Sequence, residues 1–206
     1  MKLVILDRDG TINEDSLEYI KTEAEWQPLP KALEAISRLN HAGWHVVVAS
    51  NQSGLGRGLF DMRALHAMHS KMHKLLAAVG GRVDAVFYCP HTPEQACRCR
   101  KPQAGLFEQI GERYGVDLKG VPCVGDTARD LEAGASVGCE PHLVLTGKGE
   151  AYRGKSLPDT FPKGTQVHEN LAVFAEYLIK REEAVLAAQI LAALAASQVA
   201  TNSFAK

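Results

Sequence analysis

The chain has 206 residues, 46% of them hydrophobic and 23% charged, and a formal net charge of -1 at pH 7. That length supports one domain with a full apolar core, and the near-zero charge excludes a molecule-wide attraction to nucleic acid or to an anionic membrane. The N-terminal apolar run ends at Asp7 after four residues, too short for a signal peptide, so a cytoplasmic protein is expected.

Residues 2–7 form a short apolar run of strand type. Leu33, Ile36 and Leu39 fall at helical spacing within 28–42, a stretch that stops near Gly43. Residues 44–50 (WHVVVAS) predict a second strand, apolar nearly throughout, as in a parallel sheet covered on both faces. Asp61 suits the N-cap of a helix running to about Val79, with Met62, Leu65, Met68, Met72 and Leu75 on its apolar side. Strands follow at 83–88, 121–125 and 142–145, with a short sixth at 166–167, and helices at 104–114 and 129–137. A helix-prone extension covers 182–196, so residues 1–181 form the expected domain and 182–206 a helical appendage.

Strands alternating with helices imply an α/β fold: a doubly wound, mostly parallel sheet with right-handed crossovers. Ligands bind such sheets beyond the carboxyl ends of the strands, and the chemically interesting residues fall there. The first strand ends in Asp7-Arg8-Asp9-Gly10-Thr11 and the fourth in Gly125-Asp126-Thr127-Ala128-Arg129-Asp130. Each segment alone reads equally as a polar turn or a helix cap. Asp7, Asp9 and Asp126 brought to one sheet edge would instead supply oxygen ligands to a hard cation, with Mg2+ the best fit. The second strand ends in Ser50-Asn51-Gln52-Ser53-Gly54, a hydroxyl and backbone donors able to hold phosphoryl oxygens. Lys101, after Arg100, supplies a compact positive charge for phosphate. The four segments together specify attack of a carboxylate on phosphorus, with a second carboxylate as acid and base.

These motifs, DRDGT at 7–11, Ser50, Lys101 and GDTARD at 125–130, resemble in order the four motifs of the haloacid dehalogenase superfamily of phosphatases. The resemblance implies a Rossmann-like domain with Asp7 as nucleophile, Asp9 as general acid/base, and Ser50 and Lys101 as phosphoryl stabilisers. It implies Asp126 as a Mg2+ ligand beside Asp7, with Asp9 reaching the metal through its backbone carbonyl. Asp130 is the second acid of the fourth motif, placed to orient the site.

Cys89, His91, Cys97 and Cys99 add three thiolates and an imidazole at close spacing. In a reducing compartment four such ligands predict a structural Zn2+ that braces the loop. Within the superfamily this is similar to a zinc-loop branch with only a minimal loop cap, holding heptose-bisphosphate and histidinol-phosphate phosphatases. The resemblance implies a small phosphorylated sugar as substrate, with histidinol phosphate the alternative. A silent zinc-stabilised domain that binds a phosphorylated ligand is the reading of another class. By the same likeness Arg100, Asp15 and Tyr19 contact substrate, alongside Asn51, Gln52 and Ser53 of the second-strand loop. Thr127 also counts among the substrate-binding positions, where some members carry a lysine. No nucleic-acid or membrane partner is expected. The chain is read as a monomer whose C-terminal helix is available to pair with a second subunit.

His66, His69 and His73 share one helix without a local carboxylate or cysteine, which marks a solvated helix face. Cys123 and Cys139 read as small buried hydrophobes.

Overall fold

Apolar strands arranged to be buried on both faces account for the architecture. The computed structural model of the protein describes residues 1–203, with side chains placed through residue 194. Six strands, β1 (Leu3–Leu6), β2 (His45–Asn51), β3 (Ala85–Cys89), β4 (Pro122–Gly125), β5 (Glu140–Val144) and β6 (Gln166–His168), form one sheet in the order β3-β2-β1-β4-β5-β6. Every pairing is parallel. Among the described residues six α-helices accompany the sheet: α1 (Ala32–His41), α2 (Ser53–Gly56), α3 (Met62–Ala78), α4 (Gly105–Tyr114), α5 (Ala128–Ala135) and α6 (Leu171–Ser203).

Alternation along the strands divides the core in two. Val4, Leu6, Val46 and Val48 point to one face and pack with Leu39, Met68 and Phe174 from α1, α3 and α6. Leu3, Ile5, Val47 and Ala49 point to the other and pack with Phe107, Ile110 and Leu131 from α4 and α5. Neither face of β1 or β2 is left for water, which is why both read as unbroken apolar runs.

The expected elements are present, with shifts that have local causes. Helix α1 begins at Ala32 rather than near 28, because Lys31 adopts a left-handed backbone (φ 62°) that starts the helix after it. Helix α3 is capped as expected, Asp61 Oδ1 accepting from the Ala64 N–H at 2.8 Å. Its buried stripe is Leu65, Met68, Met72 and Leu76, whereas Met62 at the first turn is exposed.

Helix α6 starts at Leu171, eleven residues before the stretch expected from sequence. Leu171, Phe174, Ala175 and Leu178 repeat at i, i+3, i+4 and i+7 and are buried. The division at 181/182 therefore falls inside one continuous helix. Arg181 pairs with Glu140 at 2.7 Å and Glu182 with Lys2 at 3.1 Å; from 183 to 194 the side chains are exposed. Among the described residues no helix is long and apolar enough to cross a membrane.

Candidate active site

The strand order reverses direction between β1 and β4, and the loops leaving these neighbours part to open a crevice. Asp7 is the first residue past β1, fixed by its N–H to the Val124 carbonyl at 2.8 Å. The chain then turns back sharply: the Arg8 carbonyl accepts the Ile12 N–H at 2.8 Å. Gly10 takes a positive φ of 81° in this turn, and a Cβ there would collide with the Asp126 carboxylate. Gly147 (φ 53°) approaches the same carboxylate from the opposite loop. Two glycines thus make room for one acid.

Side-chain oxygens of Asp7, Asp126 and Asp130 come within 4.8 Å of one another. The metal contact expected of Asp9 is through its backbone carbonyl and is not affected, but Asp130, and not the Asp9 side chain, completes this side-chain cluster. The physical reason is the neighbouring guanidinium. Arg8, itself buried, holds Asp9 Oδ1 through Nε at 3.0 Å and Nη2 at 2.8 Å. Asn13 Nδ2 donates to the same oxygen at 2.8 Å, and Gln52 Nε2 to Asp9 Oδ2 at 2.8 Å. Burial opposes the charge on Asp9, yet Arg8 and these hydrogen bonds outweigh it and hold the carboxyl below its usual range.

Lys101 is the cation of the cluster. Its Nζ lies 2.7 Å from each of Asp7 Oδ1, Asp130 Oδ1 and the Ala49 carbonyl. Burial works against its charge, but Asp130 and Asp7 raise its pKa above the ordinary lysine value. Asn51 sets the lysine's backbone, its Oδ1 accepting the Lys101 N–H and its Nδ2 donating to the Lys101 carbonyl, both at 3.0 Å. Asp130 Oδ2 meanwhile accepts from Thr127 Oγ1 at 2.6 Å and from the Thr127 N–H at 3.1 Å. Both Asp130 oxygens are engaged, one orienting Lys101 and one capping α5, in keeping with the orienting part expected of it.

One lysine does not balance three carboxylates. Burial, then the Asp130 charge, lifts Asp7 to about 7 in spite of Lys101. Burial, Asp130 and Asp7 lift Asp126 to about 8. A crowded, partly buried set of oxygen donors short of positive charge has the chemistry of a site for a hard divalent ion.

A cavity of about 260 Å³ opens over this floor. Every residue expected to be catalytic or substrate-binding lines it: Asp7, Asp9, Ser50, Lys101 and Asp126, with Asp15, Tyr19, Asn51, Gln52, Ser53, Arg100 and Thr127. A larger, more apolar depression of about 1020 Å³ lies beyond Phe60 but holds none of these acids, so the smaller polar cavity is the reactive one.

Several residues take parts here that the motifs did not announce. Arg8 orders Asp9, and Gln52 links Asp9 to Ser50, donating to Ser50 Oγ at 2.8 Å. Arg129 and Lys148 line the cavity wall; the Lys148 N–H donates to Asp126 Oδ2 at 2.8 Å while its ammonium pairs with Asp15. His69 departs from the solvated face expected of its helix: it is half-buried, its Nε2 3.5 Å from Arg8 Nη1. Burial and the Arg8 charge depress its pKa to about 4. Cys123 and Cys139 are buried as expected.

Next to the cavity, Cys89 Sγ, His91 Nδ1, Cys97 Sγ and Cys99 Sγ gather with no disulfide. Cys89 lies 3.5 Å from Cys97, 3.2 Å from Cys99 and 3.6 Å from His91. Cys99 lies 3.5 Å from Cys97 and 3.3 Å from His91. Ligands about 2.3 Å from a tetrahedral centre stand about 3.8 Å apart, so these edges describe a slightly contracted tetrahedron. His91 to Arg100 is one connected loop, and Arg100 Nη1 returns to the His91 carbonyl at 3.3 Å. The cluster therefore sets where Arg100 and Lys101 enter the cavity.

Comparison with known proteins agrees with this geometry. A family profile described as HAD-hydrolase-like matches residues 98–173. The D-glycero-beta-D-manno-heptose-1,7-bisphosphate 7-phosphatase of Bordetella bronchiseptica is 54% identical over 180 residues, covering 87% of this chain and 99% of that protein. The chain belongs to the heptose-1,7-bisphosphate 7-phosphatase family of haloacid dehalogenase-type hydrolases. The Pseudomonas aeruginosa member is 52% identical, with 86% of this chain and 98% of that protein covered. A crystal structure of the B. bronchiseptica D,D-heptose 1,7-bisphosphate phosphatase, complexed with magnesium and phosphate, superposes with a TM-score of 0.84 at 53% identity, over 88% of this chain and 99% of that one. The family fold thus accounts for most of the chain.

Proposed function

We propose that the protein removes the 7-phosphate of D-glycero-D-manno-heptose 1,7-bisphosphate through an aspartyl-phosphate on Asp7, a step in building heptose precursors of lipopolysaccharide. The observation that carries the reading is Asp7 itself, at the floor of the cavity with Lys101 on one oxygen at 2.7 Å and the other oxygen without a hydrogen bond among the described residues. The high identity to phosphatases named for this substrate supports the choice of sugar.

In the first half-reaction Asp7 Oδ2 attacks phosphorus, and the bond from phosphorus to the sugar oxygen breaks. Asp9, which enters this step carrying the proton it takes from water at the end of each cycle, gives it to that oxygen, so the sugar leaves as an alcohol. In the second half-reaction Asp9 takes a proton from water as the water attacks the aspartyl-phosphate; inorganic phosphate leaves and the Asp7 carboxylate is restored. Lys101, Ser50 and the backbone of residues 51–53 hold the equatorial oxygens. The hydrogen bonds from Arg8, Asn13 and Gln52 make Asp9 a readier proton donor and stabilise the carboxylate left after transfer, the form then needed to deprotonate water.

Asp7, Asp126 and the backbone carbonyl of Asp9 are the residues that would hold Mg2+. When bound, it supplies charge neutralisation at the phosphoryl oxygens. Cys89, His91, Cys97 and Cys99 would hold Zn2+ as a closed structural centre away from the chemistry. Arg100, Asp15, Tyr19 and Thr127 are proposed to face the sugar, in a protein that works in the cytoplasm.

Parallel phosphate-release assays with Mg2+ on both anomers of heptose 1,7-bisphosphate and on histidinol phosphate test the reading. A kcat/KM at least tenfold higher on one heptose anomer is expected. Preference for histidinol phosphate would replace the substrate, and release from none of the three would point to the silent domain.

A further inference from the structure

Arg129 stands in the first turn of α5, exposed at the wall of the catalytic cavity. Among the described residues it makes no hydrogen bond and no ion pair; its charge helps to lower the Asp130 pKa, but the Asp130 oxygens bond Lys101 and Thr127. A second cavity of about 540 Å³ adjoins the first and shares Arg100, Lys101 and Arg129 with it. The walls of this second cavity contribute four cationic side chains, Arg98, Arg100, Lys101 and Arg129, and no carboxylate.

Two of the four are already committed. Lys101 is enclosed between Asp7 and Asp130. Arg98 leans outward to Glu108 at 3.3 Å. Arg100 spends one nitrogen on the His91 carbonyl, and Arg129 spends none. Two guanidiniums with free donors therefore flank the seam between the cavities, one fixed by the thiol loop and one by a helix. Unmatched positive charge of this kind, in planar forks, suits a dianionic phosphate held by paired hydrogen bonds.

We propose that Arg129, facing Arg100 across this seam, grips the phosphate that stays on the substrate, and that this grip makes a bisphosphate preferred over a monophosphate. The inference rests on the substrate reading above and assigns a specificity role to a residue of the fourth motif that had none. Among the described residues no hydrogen bond or ion pair joins Arg129 to Asp7, so its contribution is assigned to binding rather than to the chemical step.

The test compares kcat/KM on heptose 1,7-bisphosphate and on heptose 7-phosphate, with Mg2+, for the unaltered protein, Arg129→Gln and Arg129→Lys. The unaltered protein should favour the bisphosphate. In Arg129→Gln the bisphosphate-to-monophosphate ratio should fall about 10- to 100-fold, chiefly through KM for the bisphosphate. Arg129→Lys, which keeps the charge and loses the fork, should recover part of the ratio. A ratio in Arg129→Gln equal to that of the unaltered protein, or equal losses on both substrates, overturns the assignment. Absence of any bisphosphate preference in the unaltered protein would instead sink the substrate reading, and this proposal with it.

Discussion

Two clusters of acidic or thiol ligands lie within one stretch of this molecule's surface, and they are built for opposite ends. The carboxylates of Asp7, Asp126 and Asp130 come from two strand ends far apart in sequence and open onto a polar cavity with one lysine among them. Cys89, His91, Cys97 and Cys99 come from a single eleven-residue loop, and their donor atoms face one another. Hard oxygen donors with room above them suit an ion that must also meet a substrate; soft donors closed on themselves suit one that only braces. The contrast teaches that exposure to a cavity, more than ligand count, separates a reactive centre from a structural one.

The sharpest way to break that contrast is to remove one member of each cluster. Asp7→Asn keeps the shape and deletes the nucleophile, so kcat should fall by at least about 10⁴-fold while the circular dichroism spectrum stays that of the native fold. Cys97→Ala together with Cys99→Ala should abolish bound zinc in metal analysis of protein purified without chelator, against one per chain in the unaltered protein. Its thermal midpoint should drop by roughly 6–12 °C for about 3 kcal/mol lost in a domain of this size. Turnover persisting undiminished in that double variant at low temperature would break the link between the loop and the aim of Lys101.

A smaller effect sharpens the carboxylate side. Gly10→Ala forces a side chain at positive φ into Asp126, and a 10- to 100-fold loss of kcat/KM is expected from a strain of about 1–3 kcal/mol displacing that acid. Asp7 and Lys101 are untouched by this change, so an unaltered kinetic profile would show that the position of Asp126 does not matter.

These clusters also show what could be read without coordinates. The unbroken apolar runs of β1 and β2 and the Asp61 cap announce themselves, because strand burial and helix capping are local. The cysteine loop is legible for the same reason: its four ligands lie within eleven residues. That the Asp9 side chain turns away from Asp7 and Asp126 was not legible, since it depends on which carboxylate a buried Arg8 captures and on Gln52, 43 residues from Asp9, reaching across to it. The early start of α6 left a signal, the spacing of Leu171, Phe174, Ala175 and Leu178. Met62 and Leu76 differ from the expected stripe because the helix face meets the sheet at a slightly rotated phase, which tertiary packing decides.

The gentlest effect lies far from both clusters. His142 and His168 are buried side by side, ring nitrogens 3.0 Å apart, against Phe174 and Tyr177. Burial, and for His142 the charge on neighbouring His168, depresses them to about 3 and about 4. Arg181 adds to the depression of His142, while Glu140 acts the other way on His168. Between those values and the unfolded value of about 6.5 the unfolded chain binds more protons, so stability should decline as pH falls from 6.5 towards 4. Denaturant midpoints measured across that range should show the slope, and His168→Gln should flatten it.

The central claim is that a phosphoryl group resides on Asp7 during turnover. Rapid quenching of the enzyme during turnover of heptose 1,7-bisphosphate, followed by borohydride reduction, converts an aspartyl-phosphate to homoserine. Mass analysis of the peptide spanning Asp7 should then find homoserine at position 7 only when substrate was present. An unmodified Asp7 in enzyme quenched while phosphate is being released, or homoserine at another aspartate, would contradict the account.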